Sequence, residues 1–163
     1  MSAAKTRLPN AELGERSASV IGSPVDIHGL LGAWQLVSVR SQFEDTGEMV
    51  DIHGPAPRGF AVFCPDGRMM VIIAESGERP NRAVTAYTGR FDAKPDRLVT
   101  KVDVAWHPAW EGSEQHRFLS IQGDKLLVQT QLQDHPLLPG RMHRTIVTWA
   151  REHRGIRRQG LPP

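Results

Sequence analysis

This chain has little cysteine, little tyrosine and no long apolar run. Its 163 residues include one cysteine, Cys64, and one tyrosine, Tyr87. A single cysteine excludes an intrachain disulfide and is typical of a reducing compartment. No run of about 18 apolar residues exists to form a membrane-spanning helix, and charges break up the N-terminus where a secretory signal would be apolar. We therefore expect a cytoplasmic protein with no membrane partner.

Positive and negative charges are also nearly balanced. The formal net charge is +2, and much of the basic excess lies at the two ends of the sequence, including Arg154, Arg157 and Arg158. Proteins that bind single-stranded nucleic acid combine basic and aromatic side chains on one surface, and no strand face of this sequence has that pattern. We therefore expect solvated basic ends and no nucleic-acid partner.

The chain length predicts one domain, flanked by two tails. The segment 1–27 is rich in alanine, serine, glycine and charge, so we expect a weakly ordered N-terminal arm. From 28 to 152, short β-type runs alternate with turn signals such as "PDG", "DAKPD" and "QGD", at a spacing that is typical of sandwiches and barrels. The remaining segment, 153–163, is expected to be a basic C-terminal tail.

About nine such runs follow one another with short connections and no long helical period. Parallel strands need crossover connections of a dozen or more residues, so these connections favour an antiparallel up-and-down meander. A meander removes its exposed edges by closing into a barrel. We therefore predict an all-β barrel of about eight to ten strands around a central cavity, with "HPAWEG" at its open end.

Alternation along each strand predicts which side chains face that cavity, because successive residues of a strand point to opposite faces. In "RLVTKVDVAW" the mostly apolar set includes Val102, Val104 and Trp106. In "QHRFLSIQ" the same reasoning turns Arg117 inward among apolar neighbours, and in "KLLVQTQLQ" it turns Thr130 inward. We therefore predict that these five side chains line the interior.

Several motifs also occur in a recognisable order. "LLGAWQLVSV" contains the Gly-x-Trp opening of lipocalins, and "HGPAPRGFAVFCPDGRMMV", "AYTGRFD" and "HPAWEGSEQHRFLSIQGDKLLVQ" follow it. Together they resemble the lipocalin-like domain family of bacteria and fungi, over a stretch from about Leu30 to Arg151. The resemblance implies a small barrel with a central cavity and with Trp34 at its closed end. Some members of the family belong to secondary-metabolite pathways. It implies no single chemistry, since functions lie in sites grafted onto folds.

One position departs from the pattern of that family. Many relatives carry a His-x-Glu pair on the strand before the Pro-x-Trp turn, where this chain has Lys101 and Asp103. Chemistry that depends on such a pair is therefore not expected here.

The first functional hypothesis is binding of a small hydrophobic or aromatic molecule in the cavity. Tryptophans provide flat apolar walls with one N–H donor, and a buried arginine is suited to anchor a carboxylate, phenolate or carbonyl oxygen. We expect a planar or polycyclic ligand that bears such an oxygen. The residues expected to contact it are Trp106, Trp110, Tyr87, Arg117, Val102, Val104 and Thr130.

Each polar or aromatic member of this set also has a purely structural explanation. A buried guanidinium needs a partner, so Arg117 could belong to an ion pair in the wall or stack on Trp110. Tyr87 could be a core tyrosine that donates to a backbone carbonyl. The tryptophans could pack over a loop at the rim.

The alternative hypothesis is a cofactor-independent enzyme in the same cavity, namely an isomerase, cyclase, lyase or dehydratase. Arg117 would then stabilise a developing oxyanion, and Tyr87 or His107 would move a proton. A cavity with two or more convergent titratable groups would favour the enzyme, whereas an apolar cavity with a single polar anchor would favour the binding protein.

Motifs for cofactors and metals are missing. The sequence contains no G-x-S-x-G elbow, no phosphate-binding loop and no G-x-G-x-x-G. Its histidines do not have the spacing of zinc ligands on one helix or strand. We therefore expect neither a cofactor nor a metal.

The run "RMMVIIA" is apolar on both faces. A strand of this kind is usually covered on both sides. The N-terminal arm or a second subunit would supply the cover, so a homodimer is one arrangement that the sequence suggests.

Overall fold

The computed structural model describes Pro24, 26–78 and 82–153. The predicted N-terminal arm and basic tail lie almost wholly outside these residues. The described elements, in chain order, are the one-turn helix α1 (Ile27–Leu30) and the strands β1 (Gly32–Phe43), β2 (Met49–Val50), β3 (Arg58–Phe63), β4 (Arg68–Ala74), β5 (Val84–Ala93), β6 (Leu98–Ala105), β7 (Glu114–Gln122), β8 (Lys125–Thr130), β9 (Gln133–His135) and β10 (Leu138–Arg151), with a 3₁₀ turn at Pro108–Trp110.

Eight of these strands close into one antiparallel barrel. Their order around it is β1-β3-β4-β5-β6-β7-β8-β10, and β1 completes the circle by pairing with β10, from Trp34 opposite Arg151 to Phe43 opposite His143. The short strands β2 and β9 pair with β1 and β10. Neighbours in the sheet are mostly neighbours in sequence, as an up-and-down barrel requires. The predicted all-β antiparallel barrel is confirmed.

The beginning of β1 marks the closed end. Trp34 is fully buried, and its indole N–H donates to the carbonyl of Leu30 in α1 at 2.8 Å. The guanidinium of Arg151 lies over the Trp34 ring, 4.1 Å from its centroid, and donates to the carbonyl of Leu31 at 3.0 Å. A cation–π contact of this kind contributes about 0.5–2 kcal/mol. It fastens the last strand to the first, and α1 covers that end.

The 3₁₀ turn lies at the opposite end of the barrel. Strands β1, β4 and β6 run in the same direction, because β3 and β5 are antiparallel to their neighbours. The loop that follows β6 therefore lies where β1 ends, far from Trp34. This agrees with the prediction that "HPAWEG" sits at the other mouth.

A bulge in β6 overturns part of the predicted alternation. Gly89 of β5 pairs with Val102 and Thr88 pairs with Val104, so Asp103 is an extra residue without a partner in the ladder. One extra residue reverses the faces of all residues that follow it. Val102 is 1% exposed, but Val104 is 59% exposed. The prediction that Val104 points inward was therefore wrong.

Gly89 permits this bulge. A Cβ built on Gly89 would lie 2.2 Å from the carbonyl oxygen of Lys101 in β6. Any side chain there would push β6 away, so the close approach of the two backbones requires glycine. The same glycine therefore fixes the direction in which the end of β6 presents its side chains.

The outer face of the sheet carries an apolar strip. Phe60, Met70, Ile72 and Val104 are all large and about half exposed. The first three lie on the adjacent strands β3 and β4, and Val104 lies on β6, on the far side of β5. The described residues contain nothing that covers them, and the N-terminal arm proposed as cover lies outside those residues. Coverage by the arm or by a second subunit therefore stays a prediction. No helix in the described ranges is long and apolar enough to cross a membrane.

The bulge predicts that two valines of β6 contribute very differently to stability. Val102→Ala removes buried methyl groups from the core and should lower the free energy of unfolding by about 2 kcal/mol. Val104→Ala changes an exposed side chain and should alter it by less than about 0.5 kcal/mol. Urea denaturation of both variants measures the difference. Equal losses would mean that β6 has regular alternation without the bulge.

Candidate functional site

A cavity lies inside the barrel between the Trp34 end and the 3₁₀ turn. Measured as the space open to the centre of a water molecule, its volume is about 70 Å³. One water needs roughly 10–15 Å³ of such space, so the cavity holds a few waters or one small molecule. Its lining is mainly apolar and includes Val39, Phe63, Met69, Leu119, Val128 and Trp149. A few polar side chains interrupt this apolar wall, which is the usual composition of a small-molecule site.

Arg117 supplies a buried cation to the wall. Its side chain lines the cavity, as the alternation of β7 predicts, and the residue is 7% exposed. The guanidinium donates to the backbone carbonyl of His116 at 2.9 Å and to the side-chain oxygen of Gln115 at 2.8 Å. No carboxylate in the described parts of the chain forms an ion pair with it. Arg117 is therefore held in place by neutral acceptors, and its charge is not neutralised there.

Tyr87 and Trp110 form the aromatic part of the wall beside Arg117. The two rings meet edge to face with their centroids 5.5 Å apart, and the Tyr87 ring lies 6.0 Å from Cζ of Arg117. Trp110 comes from the 3₁₀ turn and is buried because that turn folds over the open end. Both residues line the cavity, which agrees with their predicted positions.

Thr130 also faces the cavity and takes part in buried hydrogen bonds with Thr145, which in turn bonds to Ser41. Its Oγ1 accepts from the backbone N–H of Thr145 at 3.0 Å. The Thr145 hydroxyl in turn lies 2.8 Å from the hydroxyl of Ser41. These bonds connect the inner faces of β8, β10 and β1, so Thr130 has a structural role in addition to its place in the lining.

Two histidines in the cavity wall were not predicted. His53 follows β2 and is 2% exposed, and its Nε2 lies 2.9 Å from Oγ1 of Thr85. His135 lies in β9, and its Nδ1 accepts from the backbone N–H of Leu137 at 3.0 Å. Both come from short or irregular segments, where alternation gives no information about which way a side chain points. The signal that was available is the local "HP" of His135-Pro136, which marks the end of a strand.

Burial keeps both histidines neutral at neutral pH. Removal of the imidazole from water lowers the pKa of His53 from 6.5 to about 4, and the nearby carboxylate of Glu75 only partly opposes this effect. Burial also lowers the pKa of His135 to about 4, and His143, His53 and Arg117 add to the decrease. Each ring therefore offers one donor and one acceptor nitrogen.

The other predicted residues lie outside the cavity. His107 is partly exposed and its Nδ1 accepts from the backbone N–H of Ala109 at 3.3 Å, so it caps the 3₁₀ turn. Trp106 lies beyond the bulge and does not line the cavity. Its ring lies 6.4 Å from that of Trp110 and stacks on His135, and its indole nitrogen is buried. Val102 is buried in the core but does not line the cavity. Val104 faces solvent.

The described residues hold no group suited to a metal. No three side chains of histidine, cysteine, aspartate or glutamate converge there in the way that ligands require. Lys101 is exposed, and Asp103 forms an ion pair with Arg68 on the outer surface at 2.8 Å. Neither residue lines the cavity.

A closed antiparallel barrel with a cavity inside defines a lipocalin-like barrel, a fold that supports ligand binding in general. The sequence model of the family described as "Lipocalin-like domain" matches 31–85 and 78–152. This protein belongs to that family. A redesigned beta barrel of known structure is similar to it with a TM-score of 0.44 and 16% identity, over 77% of this chain and 94% of the other. A search of curated proteins finds no significant match.

The two neutral histidines predict how stability depends on pH. In the unfolded chain a histidine has a pKa near 6.5, whereas His53 and His135 have values of about 4 in the folded protein. Between these values the unfolded chain binds more protons, so the free energy of unfolding should fall as the pH falls from 6.5 to 4. The loss should be on the order of a few kcal/mol for the pair.

Urea denaturation at a series of pH values measures this loss. Each variant, His53→Gln and His135→Gln, should show a smaller decrease between pH 6.5 and 4 than the wild type, whatever its stability at pH 8. An unchanged slope in both variants would contradict the assignment.

Proposed function

We propose that this barrel binds a small, mostly apolar molecule and that Arg117 holds an acceptor oxygen of that molecule. The observation that carries the proposal is a buried guanidinium that lines an apolar cavity and has only neutral acceptors in the described structure. An uncompensated buried charge is costly. A carboxylate, phenolate or carbonyl oxygen in the cavity would offset that cost through charge-assisted hydrogen bonds.

The volume of the cavity favours a ligand of about one ring. The cavity, at about 70 Å³, is smaller than ordinary ligand sites, which occupy roughly 300–1,000 Å³. A single ring fits the flat surfaces of Tyr87, Trp110 and Trp149 better than a polycyclic ligand would. The apolar walls would supply affinity at about 25 cal/mol per Å² buried, before association costs. A cytoplasmic location and a role in secondary metabolism stay predictions.

The proposal predicts a selective effect of Arg117→Met. Benzoate and toluene have nearly the same shape, but only benzoate carries a carboxylate. The substitution should weaken benzoate about 30-fold or more, which corresponds to roughly 2 kcal/mol for a charge-assisted bond. It should change the affinity for toluene little. Quenching of Trp110 and Trp149 fluorescence reports both affinities.

Arg97→Met is the matched control for this experiment. Arg97 lies over the ring of Phe118 on the outer side of the barrel, 5.4 Å from its centroid. Its replacement removes the same charge without touching the cavity, so it should leave the preference for benzoate unchanged. Circular dichroism checks that both variants fold. If Arg117→Met weakens benzoate and toluene equally, Arg117 is a structural residue and the proposal is wrong.

A second candidate function is cofactor-independent proton transfer in the same cavity. The observation that favours it is the convergence of four titratable side chains on one space, namely His53, Tyr87, Arg117 and His135. Arg117 would stabilise an enolate oxygen while a histidine moves a proton. The low pKa of both histidines argues against it, because a base of pKa about 4 removes carbon-bound protons poorly. We therefore rank binding first.

Isomerisation of 3-cyclohexenone tests the second candidate. A base would remove a proton from C2, the enolate oxygen would bind Arg117, and a proton would return at C4 to give 2-cyclohexenone. For an enzyme we expect conversion above the buffer rate, and its loss in Arg117→Met. The absorbance of the conjugated product measures the rate. A rate equal to that of buffer would leave only the binding function.

A further inference from the structure

Some buried polar atoms have no hydrogen-bond partner. In the described residues these atoms belong to His53, Thr100, Trp106, His116 and His143. More than about 90% of buried polar groups in proteins are satisfied, and an unsatisfied group costs about 1–3 kcal/mol. Only His53 and Thr100 among these five also line the cavity. Nδ1 of His53 and Oγ1 of Thr100 are therefore buried polar atoms without a partner, on side chains that belong to the cavity wall.

Thr100 lies next to Arg117 on the inner wall. Thr100 pairs with Gln115 across β6 and β7, and Leu98 pairs with Arg117. Thr100 and Arg117 are therefore diagonal neighbours on one face, a relation in which the backbones lie about 7–8 Å apart. The side chain of Thr100 is fully buried. Its hydroxyl can donate to the same ligand oxygen that the guanidinium binds.

His53 lies on the other side of Tyr87. Its Nε2 is held by Thr85 of β5, which lies two residues before Tyr87 on the same inner face. The Tyr87 ring is in turn adjacent to Arg117. A ligand that lies along Tyr87 would therefore meet Arg117 and Thr100 at one end and His53 at the other.

The chemistry at His53 favours a hydroxyl group. A neutral imidazole has one N–H and one acceptor nitrogen, and the bond to Thr85 can use either of them. The free Nδ1 is therefore a donor in one tautomer and an acceptor in the other. A hydroxyl group can both donate and accept, so it satisfies Nδ1 in either case. An apolar group would leave that nitrogen unsatisfied.

We propose that the ligand is a small hydroxylated acid or carbonyl compound, whose acceptor oxygen binds Arg117 and Thr100 and whose hydroxyl binds His53. This rests on the proposed function and adds a second, opposite polar contact to it. The two contacts fix both the position and the orientation of the ligand, whereas Arg117 alone would fix only one end.

The first test compares ligands on the wild-type protein and needs no variant. The wild-type protein is titrated by calorimetry with 3- and 4-hydroxybenzoate and with 3- and 4-methylbenzoate, because a methyl group has nearly the size of a hydroxyl. The two positions sample two separations between carboxylate and hydroxyl. At one position at least, the hydroxyl compound should bind about fivefold or more tightly than the methyl compound. Equal or tighter binding of both methyl compounds overturns the inference.

Two variants then assign the contacts. In His53→Phe, which keeps a ring of similar shape, the ratio of hydroxyl to methyl affinity should fall to one or below. In Thr100→Val, which keeps the shape of the side chain, benzoate should weaken about fivefold while toluene does not. A hydroxyl preference that persists in His53→Phe, or benzoate binding that is unaffected in Thr100→Val, contradicts the corresponding contact.

The outcomes separate this inference from the proposed function. If benzoate depends on Arg117 but the methyl compounds bind as well as the hydroxyl compounds, the binding function stands and the second contact is wrong. If benzoate does not depend on Arg117, the binding function itself is wrong. Thermal denaturation with each ligand gives an independent readout for any variant of low stability.

Discussion

The site depends on the pairing of the first long strand with the last. The walls of the cavity come from all eight strands of the barrel, and β1 meets β10 although more than a hundred residues separate them in parts of the ladder. Until that pairing forms, Val39 of β1 and Trp149 of β10 would line an open sheet rather than a cavity. The contact of Arg151 with Trp34 lies at the end of this seam. Because the seam joins distant segments, it also carries the largest loop-closure entropy of the fold.

Alternation along the sequence predicted the inward-facing side chains correctly where the strands pair in regular register, but not beyond the extra residue in β6. Arg117 and Thr130 face inward as expected, because β7 and β8 pair without a register shift. In β6 the unpaired Asp103 reverses the faces, so Val104 points outward, and Trp106 beyond it does not line the cavity. β1 contains a second irregularity of the same kind, since Leu36 and Ser38 pair with adjacent residues of β10 and exposed Val37 has no partner. Where both faces of a strand carry apolar side chains, the pattern of hydrophobicity alone does not reveal such a bulge.

The polar side chains of the cavity wall were harder to predict from the sequence than the fold. The order of strands and turns and the antiparallel topology follow from local turn residues and from period-two runs, whereas the closed end at Trp34 was implied by the resemblance to lipocalin-like proteins. His53 and His135 come from segments that flank strands, where no period relates one side chain to the next. The region of β9 and the start of β10 contains residues that are typical of loops, namely Pro136, Pro139 and Gly140. The direction of such histidines is set by tertiary contacts, namely the bond of His53 to Thr85 and the packing of His135 between Trp106 and Trp110.

The charges of the described cavity limit what it can hold. Arg117 carries one positive charge, and its field contributes to keeping His135 neutral, as do burial and the neighbouring histidines. Because like charges in a space of low polarity repel strongly, protonation of His135 near Arg117 is disfavoured at neutral pH, and burial disfavours protonation of His53. The cavity therefore presents one cation together with neutral donors and acceptors. A ligand with one anionic or strongly dipolar oxygen matches this distribution, whereas a second anionic group would enter the apolar wall without a counter-charge and would be rejected.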